Sequence, residues 1–122
     1  MNFTMYYAKE ISGHFKLGKK EEGLKIVSEF WKANVGKVKG LKGFMLMLDP
    51  YTSEIATNIT VWENKQYMDE YYSGDVSYFA VLDKIQQMMD GELERHEYTV
   101  LDYGFSELID RAYFNDSNSR LR

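Results

Sequence analysis

Residues 44–62 read FMLMLDPYTSEIATNITVW, and this stretch decides the fold. Its first five residues are all apolar, which is typical of a strand buried on both faces. The only proline of the chain follows at a position that favours a turn. Residues 55–62 are rich in β-branched types, and their side chains alternate between two faces. The short link between the two segments predicts an antiparallel hairpin.

A strand and an amphipathic helix are predicted before this hairpin. Residues 3–15 contain β-branched and aromatic types with period two, which indicates a strand. Residues 19–35 have an apolar stripe at helical spacing, formed mainly by Leu24, Val27 and Trp31. We expect this helix to pack one side on a sheet, because its other side is polar.

A second helical region and a last strand are predicted after the hairpin. The helical region opens at residues 63–65, breaks near residues 73–75 and resumes at about Ser77. Residues 96–105 alternate as a strand does. The order βαββαβ predicts an α+β domain of the ferredoxin-like type, in which two helices cover one face of an antiparallel sheet.

One domain is predicted for residues 1–105, and residues 106–122 form a C-terminal extension. The extension either is partly disordered or docks on a partner through its apolar residues, which are Leu108, Ile109, Tyr113 and Phe114. The uncovered face of the sheet also needs a partner, because one half of the apolar segment 44–48 would otherwise lie in water. A two-fold pairing of sheets, and therefore a homodimer, is the simplest arrangement.

The composition excludes several classes of protein. The 122 residues include 44% apolar and 28% charged residues, as in a globular domain, and no cysteine. Disulfides and thiolate chemistry are therefore excluded. The lysines of the N-terminal third are scattered and lack an aromatic-basic stripe, so nucleic-acid binding is not expected. No apolar run approaches the roughly 20 residues of a membrane span, and no signal peptide is recognised, so a cytoplasmic location is expected.

Asn58, Thr60 and Trp62 alternate onto one face of the same predicted strand. They either belong to a core with a wet edge or line a pocket that holds a flat organic ligand. The two histidines, His14 and His96, lie near strand ends and have no metal-ligand spacing. No nucleophile elbow, phosphate loop or dinucleotide fingerprint occurs, and no metal site is expected.

Three stretches resemble the antibiotic biosynthesis monooxygenase domain. They are residues 60–71 (TVWENKQYMDEY), 38–44 (VKGLKGF) and 101–105 (LDYGF), and the likeness spans about residues 5–105. Within that family, the first stretch is most similar to IsdG-like haem-degrading monooxygenases. The resemblance implies a dimeric α+β barrel with one cleft per subunit, in which Trp62 takes the place of the family's tryptophan.

The resemblance also implies an activity, with one departure. Haem-degrading members have an axial histidine on the second long helix, and residues 77–85 contain none. Haem is therefore disfavoured, and we expect a monooxygenase that oxidises a phenolic or quinol-like substrate without metal or flavin. Trp62, Asn58 and His14 would be its catalytic residues, with Trp62, Thr60 and Tyr78 binding the ligand. The alternative is a non-catalytic dimeric barrel that binds a small ligand or regulates a partner.

Overall fold

The computed structural model describes residues 5–105. Four strands and three helices follow one another as β1 (Tyr6–His14), α1 (Lys20–Asn34), β2 (Leu41–Leu48), β3 (Ile55–Trp62), α2 (Lys65–Gly74), α3 (Val76–Gln87) and β4 (Glu94–Val100). The predicted α+β fold of the ferredoxin-like type is confirmed. The predictions for residues 106–122 lie outside the described residues.

The predicted break in the second helical region is present, and Asp75 divides the region into α2 and α3. The Asp75 backbone is extended, with φ −85° and ψ 116°, and its side chain accepts a hydrogen bond from the backbone N–H of Tyr78 at 2.7 Å. Asn64 caps α2 in the same way by accepting from the N–H of Tyr67 at 2.9 Å. Asn and Asp are preferred at this position because their side chains satisfy a free helical N–H.

The strands form one antiparallel sheet in the order β2-β3-β1-β4. The predicted hairpin is confirmed, and β2 begins earlier than expected, at Leu41, with an irregularity before Gly43. The last strand is shorter than the predicted 96–105. It ends at Val100, whose partner Tyr6 is the first residue of β1, so the ladder between the two strands ends there.

The helices cover only one face of this sheet. Residues Ala56, Asn58, Thr60 and Trp62 of β3 point to the helices, while Met45 and Met47 of β2 point the other way. Both methionines are 39% exposed, and Tyr98 of β4 is 48% exposed. The prediction that residues 44–48 are buried on both faces is therefore wrong for the single chain, because no described element covers the second face. We call this second face the open face.

The core beneath the helices contains two clusters of buried side chains. The first is mainly aromatic and includes Trp31, Trp62, Tyr71 and Tyr78. The second surrounds Phe15, Ile85 and Met89. Within residues 5–105 no helix is long and apolar enough to cross a membrane.

Candidate functional site

A cavity of about 70 Å³ lies where the two core clusters meet, between the sheet and helices α1 and α3. Its walls are mostly aliphatic and aromatic. Asn58 of β3 and Tyr78 of α3 bring polar side-chain groups to it. The apolar lining includes Ile11, Val27, Phe30, Trp31, Leu46, Leu82, Ile85 and Met89. An apolar lining with a few polar groups is typical of small-molecule sites, although this cavity is smaller than the usual several hundred Å³.

Asn58 is the polar group at the middle of the sheet. It pairs with Ile11 of β1 and Leu46 of β2, and both of these residues also line the cavity. The side-chain oxygen of Asn58 is buried and has no hydrogen-bond partner in the structure. Leaving a buried polar group unpaired costs about 1–3 kcal/mol. A ligand with a hydroxyl group would remove that cost.

Tyr78 lies across the cavity from the sheet, near the start of α3. Its backbone is fixed by the Asp75 cap, and its ring is buried among Phe30, Trp31 and Tyr72. Burial raises the pKa of Tyr78 to about 12, although the positive charge of Arg95 opposes the shift. The phenol is therefore neutral near pH 7 and is able to donate a hydrogen bond to a ligand.

Trp62 and Thr60 do not reach the cavity. Both are 0% exposed, and the Trp62 indole Nε1–H donates to Thr60 Oγ1 at 2.9 Å. Thr60 Oγ1 also lies 2.6 Å from the Tyr72 hydroxyl. The roles of Trp62 and Thr60 in ligand binding stay a prediction, and in this structure Met68, Tyr71 and Tyr72 pack around Trp62. Trp62 and Thr60 belong to β3, the strand that carries Asn58, and their packing supports that strand.

His14 does not lie at the cavity either. Its side chain has the parity of Ser12 and Glu10, so it lies on the open face, opposite Ile55 and away from Asn58. It is exposed. Strand alternation explains why His14 and Asn58 lie on opposite faces, since moving one residue along a strand changes the face on which a side chain lies. His96 pairs with Glu10 and is likewise on the open face.

A haem group does not fit this site. The side chains lining the cavity include no imidazole, and its volume is far below that of a porphyrin binding pocket. Among residues 5–105, no group of three histidine, cysteine or acidic side chains is arranged to hold a metal ion.

The aliphatic residues of the cavity wall near α3 are not among the predicted site residues. Leu82 and Ile85 of α3, and Met89 just beyond its end, continue an apolar stripe at helical spacing, and such a stripe indicates a core face equally well. Asn58 and Tyr78 are the predicted residues that the structure brings together at one cavity.

No protein-family model matches the sequence, and no curated protein matches it. Solved structures do match. A candidate antibiotic biosynthesis monooxygenase from Nitrosomonas europaea is 12% identical and has a TM-score of 0.72, with 83% of this chain and 94% of that chain covered. A conserved protein from Methanosarcina mazei Go1 is 16% identical over 78% of this chain and 92% of that chain, with a TM-score of 0.69.

A third similar structure has a stated activity. SnoaB from Streptomyces nogalater, named a cofactor-independent oxygenase and solved as an asparagine-to-alanine mutant, is 10% identical. Its TM-score is 0.68, and the match covers 80% of this chain and 95% of that chain. At identities this low, the structural matches establish the fold alone. The nearer likeness to haem-degrading members stays a prediction. The chain has the ferredoxin-like α+β fold of the antibiotic biosynthesis monooxygenases.

Proposed function

We propose that the cavity beside Asn58 binds a flat phenolic or quinol-like substrate and that the protein oxidises it without metal or flavin. The observation that carries this proposal is the buried, unpaired side-chain oxygen of Asn58 at an otherwise apolar cavity. The fold shared with a cofactor-independent oxygenase supports it.

In the proposed reaction, the substrate supplies the electrons. A phenol with a free para carbon loses its proton to solvent, and the phenolate transfers electrons to dioxygen. Dioxygen accepts two electrons and bonds to the para carbon as a peroxide. Loss of the para C–H proton then breaks the O–O bond, so that the inner oxygen becomes the second carbonyl of a quinone, and the outer oxygen takes up protons from solvent and leaves as water. The Asn58 side-chain oxygen accepts a hydrogen bond from the hydroxyl of the bound substrate and orients the ring. Once that proton is lost, the Asn58 side-chain NH2 group and the neutral Tyr78 phenol donate to the developing charge.

Substrate binding requires the cavity wall to move. An engineered cavity of about 150 Å³ holds benzene, so about 70 Å³ is too small for an aromatic ring without adjustment. Leu82 of α3 lines the cavity, and so does Met89, which follows the end of α3 and pairs with Phe15. Methionine has three rotatable bonds and adapts readily to a new shape, so Met89 is the side chain we expect to move first.

Oxygen consumption in the presence of a panel of phenols and naphthols with a free para carbon tests this function, with quinone formation followed by absorbance. Asn58→Ala should lower kcat/KM by about 100-fold, the scale of a lost oxyanion donor. The matched control is Thr57→Ser, which alters the neighbouring residue on the open face and should leave the rate unchanged. A rate insensitive to Asn58→Ala would refute the assignment.

A second candidate function is non-catalytic binding of a small aromatic ligand. The side chains that line the cavity include no carboxylate, imidazole or ammonium group, so a residue that would act as a general base is missing from the wall. Ligand binding that depends on Asn58, together with no oxygen consumption for any member of the panel, would establish this candidate instead.

We also propose that two chains pair through their open faces to form a homodimer. Met45, Met47 and Tyr98 give this face an exposed apolar surface, and such surfaces mark sites of association. Sedimentation equilibrium tests the pairing with Met47→Lys, which places a charge among the exposed apolar side chains of this face and should yield monomers. Phe79→Lys, on an exposed part of α3, is the control. Removing residues 106–122 tests whether the extension contributes to the same dimer.

A further inference from the structure

We infer that Arg95 selects aromatic ligands that carry an anionic oxygen, so that a ring in the cavity would direct a carboxylate or phenolate group towards this guanidinium. This inference rests on the proposed use of the cavity and names the charge of its ligand. It begins from the position of Arg95 on β4.

Arg95 stands beside the cavity wall. It pairs directly with Ile11 of β1, and Ile11 lines the cavity. Paired residues of antiparallel strands project to the same face, with Cβ atoms about 4.5–5.5 Å apart. Arg95 therefore lies on the helix-covered side of the sheet. Every residue of β4 from Glu94 to Thr99 is exposed, so Arg95 stands at the border between the cavity and solvent.

The charge of Arg95 is available for a ligand. Within the described part of the chain Arg95 forms no salt bridge. Lys9 is the other cation on this face of β1 and β4, and it is paired with Glu97. The Lys9 ammonium lies 3.5 Å from Glu97 and 4.6 Å from the centre of the Tyr72 ring. Glu97 in turn is shared with Lys65 at 3.8 Å.

The electrostatic influence of Arg95 extends into the cavity. Its positive charge lowers the pKa of Tyr78, in opposition to burial, so the guanidinium acts on a side chain that lines the cavity. An anionic ligand oxygen near Tyr78 would experience the same attraction. Arginine suits this role because its planar fork binds carboxylates and other oxyanions with two parallel hydrogen bonds.

The test compares matched anionic and neutral ligands by isothermal titration calorimetry on the full chain. Benzoate and benzamide have nearly the same shape and differ in charge, and para-nitrophenolate and nitrobenzene form a second pair. Wild-type protein should bind each anion more tightly than its neutral counterpart. Arg95→Gln should weaken anion binding by about tenfold, the scale of one charged hydrogen bond, with neutral ligands changed less than about twofold. Arg95→Lys should restore part of the loss.

The control is Lys25→Gln, which removes an exposed cation on α1 and should change neither member of a pair. A preference shown by benzoate alone assigns the site to aryl carboxylates, and one shown by para-nitrophenolate alone assigns it to phenolates. Equal binding within both pairs, equal losses on Arg95→Gln or no binding of any probe would overturn the inference. Anion selectivity without oxygen consumption would leave it standing while the proposed oxygenase activity fails, and turnover without selectivity would do the reverse.

Discussion

Trp62 donates its indole N–H to the hydroxyl oxygen of Thr60, two residues earlier on the same face of β3, at 2.9 Å. The same oxygen lies 2.6 Å from the hydroxyl of Tyr72 on α2. A threonine hydroxyl has one donor and two acceptor sites, so it can serve both neighbours. The three side chains therefore form a hydrogen-bond chain with Thr60 at its centre, which joins the sheet to the helix that covers it.

We expect Trp62→Phe to lower the free energy of unfolding by about 2–3 kcal/mol, because a smaller ring leaves a void and Thr60 loses a donor. Tyr72→Phe should cost about 1 kcal/mol. Urea denaturation of the two single variants and the double variant measures both effects. Because both side chains share Thr60, the double variant should depart from additivity by more than about 0.5 kcal/mol. Additive losses of stability would show that this hydrogen-bond chain does not act as one unit.

Alkaline pH should destabilise the protein through its buried tyrosines. Burial raises the pKa of Tyr78 to about 12, and burial raises the pKa of Tyr71 and Tyr72 as well. A folded-state pKa above the unfolded value stabilises the fold fully below about pH 10 and loses this effect as the pH rises towards about 12. For Tyr78 the loss is roughly 2–3 kcal/mol, since one pKa unit corresponds to 1.36 kcal/mol.

The measurement is urea denaturation at a series of pH values from about 9 to 12, with the phenolate absorbance followed in parallel. Tyr78→Phe is the comparison, and it should flatten the fall in stability because it removes one of the shifted groups. If the variant loses stability with pH as steeply as the parent, Tyr78 does not contribute to the dependence.

Gly23 permits the close approach of α1 to the second core cluster. A Cβ atom built at Gly23 would lie within 2.7 Å of two Phe15 ring atoms, and Phe15 is 1% exposed. We expect Gly23→Ala to lower the free energy of unfolding by about 1–3 kcal/mol, the usual cost of overpacking, despite the better helix propensity of alanine. Gly74→Ala is the control at the end of α2, where a Cβ meets no atom within 4 Å, and it should be neutral or slightly stabilising. Thermal denaturation of the two variants should separate them clearly.

Local sequence patterns predict the strand that carries the candidate site, but they do not predict which of its side chains reach the cavity. The bounds of β3 and the shared face of Asn58, Thr60 and Trp62 follow from strand alternation, and both are found in the structure. Which of these side chains would meet a cavity depends on Tyr71 and Tyr72, which lie on a helix that follows the strand. Tyr71 and Tyr72 pack against Trp62 through a tertiary contact. The periodicity of the sequence does not indicate how deeply this contact buries Trp62.

The position of His14 on the open face is not predictable from the sequence for a different reason. The residue pattern predicts the alternation of β1, but which face the helices cover depends on the register between β1 and β3, where Gly13 pairs with Ala56. A one-residue uncertainty in register exchanges the two faces of a strand, so a histidine at the strand end cannot be assigned to either face without the partner strand.

Asn58→Leu should stabilise the protein while abolishing ligand binding. Its amide oxygen is buried without a partner, and replacing such a group by an apolar one next to an apolar cavity removes a desolvation cost, so the free energy of unfolding should rise by about 1 kcal/mol. Asn34→Leu is the matched control, because the Asn34 amide donates to the carbonyl of Phe30 at 2.7 Å and its loss should destabilise α1. Urea denaturation measures both stabilities, and titration with a phenolic probe measures binding. A stabilised variant that no longer binds indicates that Asn58 is kept for a ligand. Destabilisation comparable to that of Asn34→Leu would instead mean that the amide serves the fold.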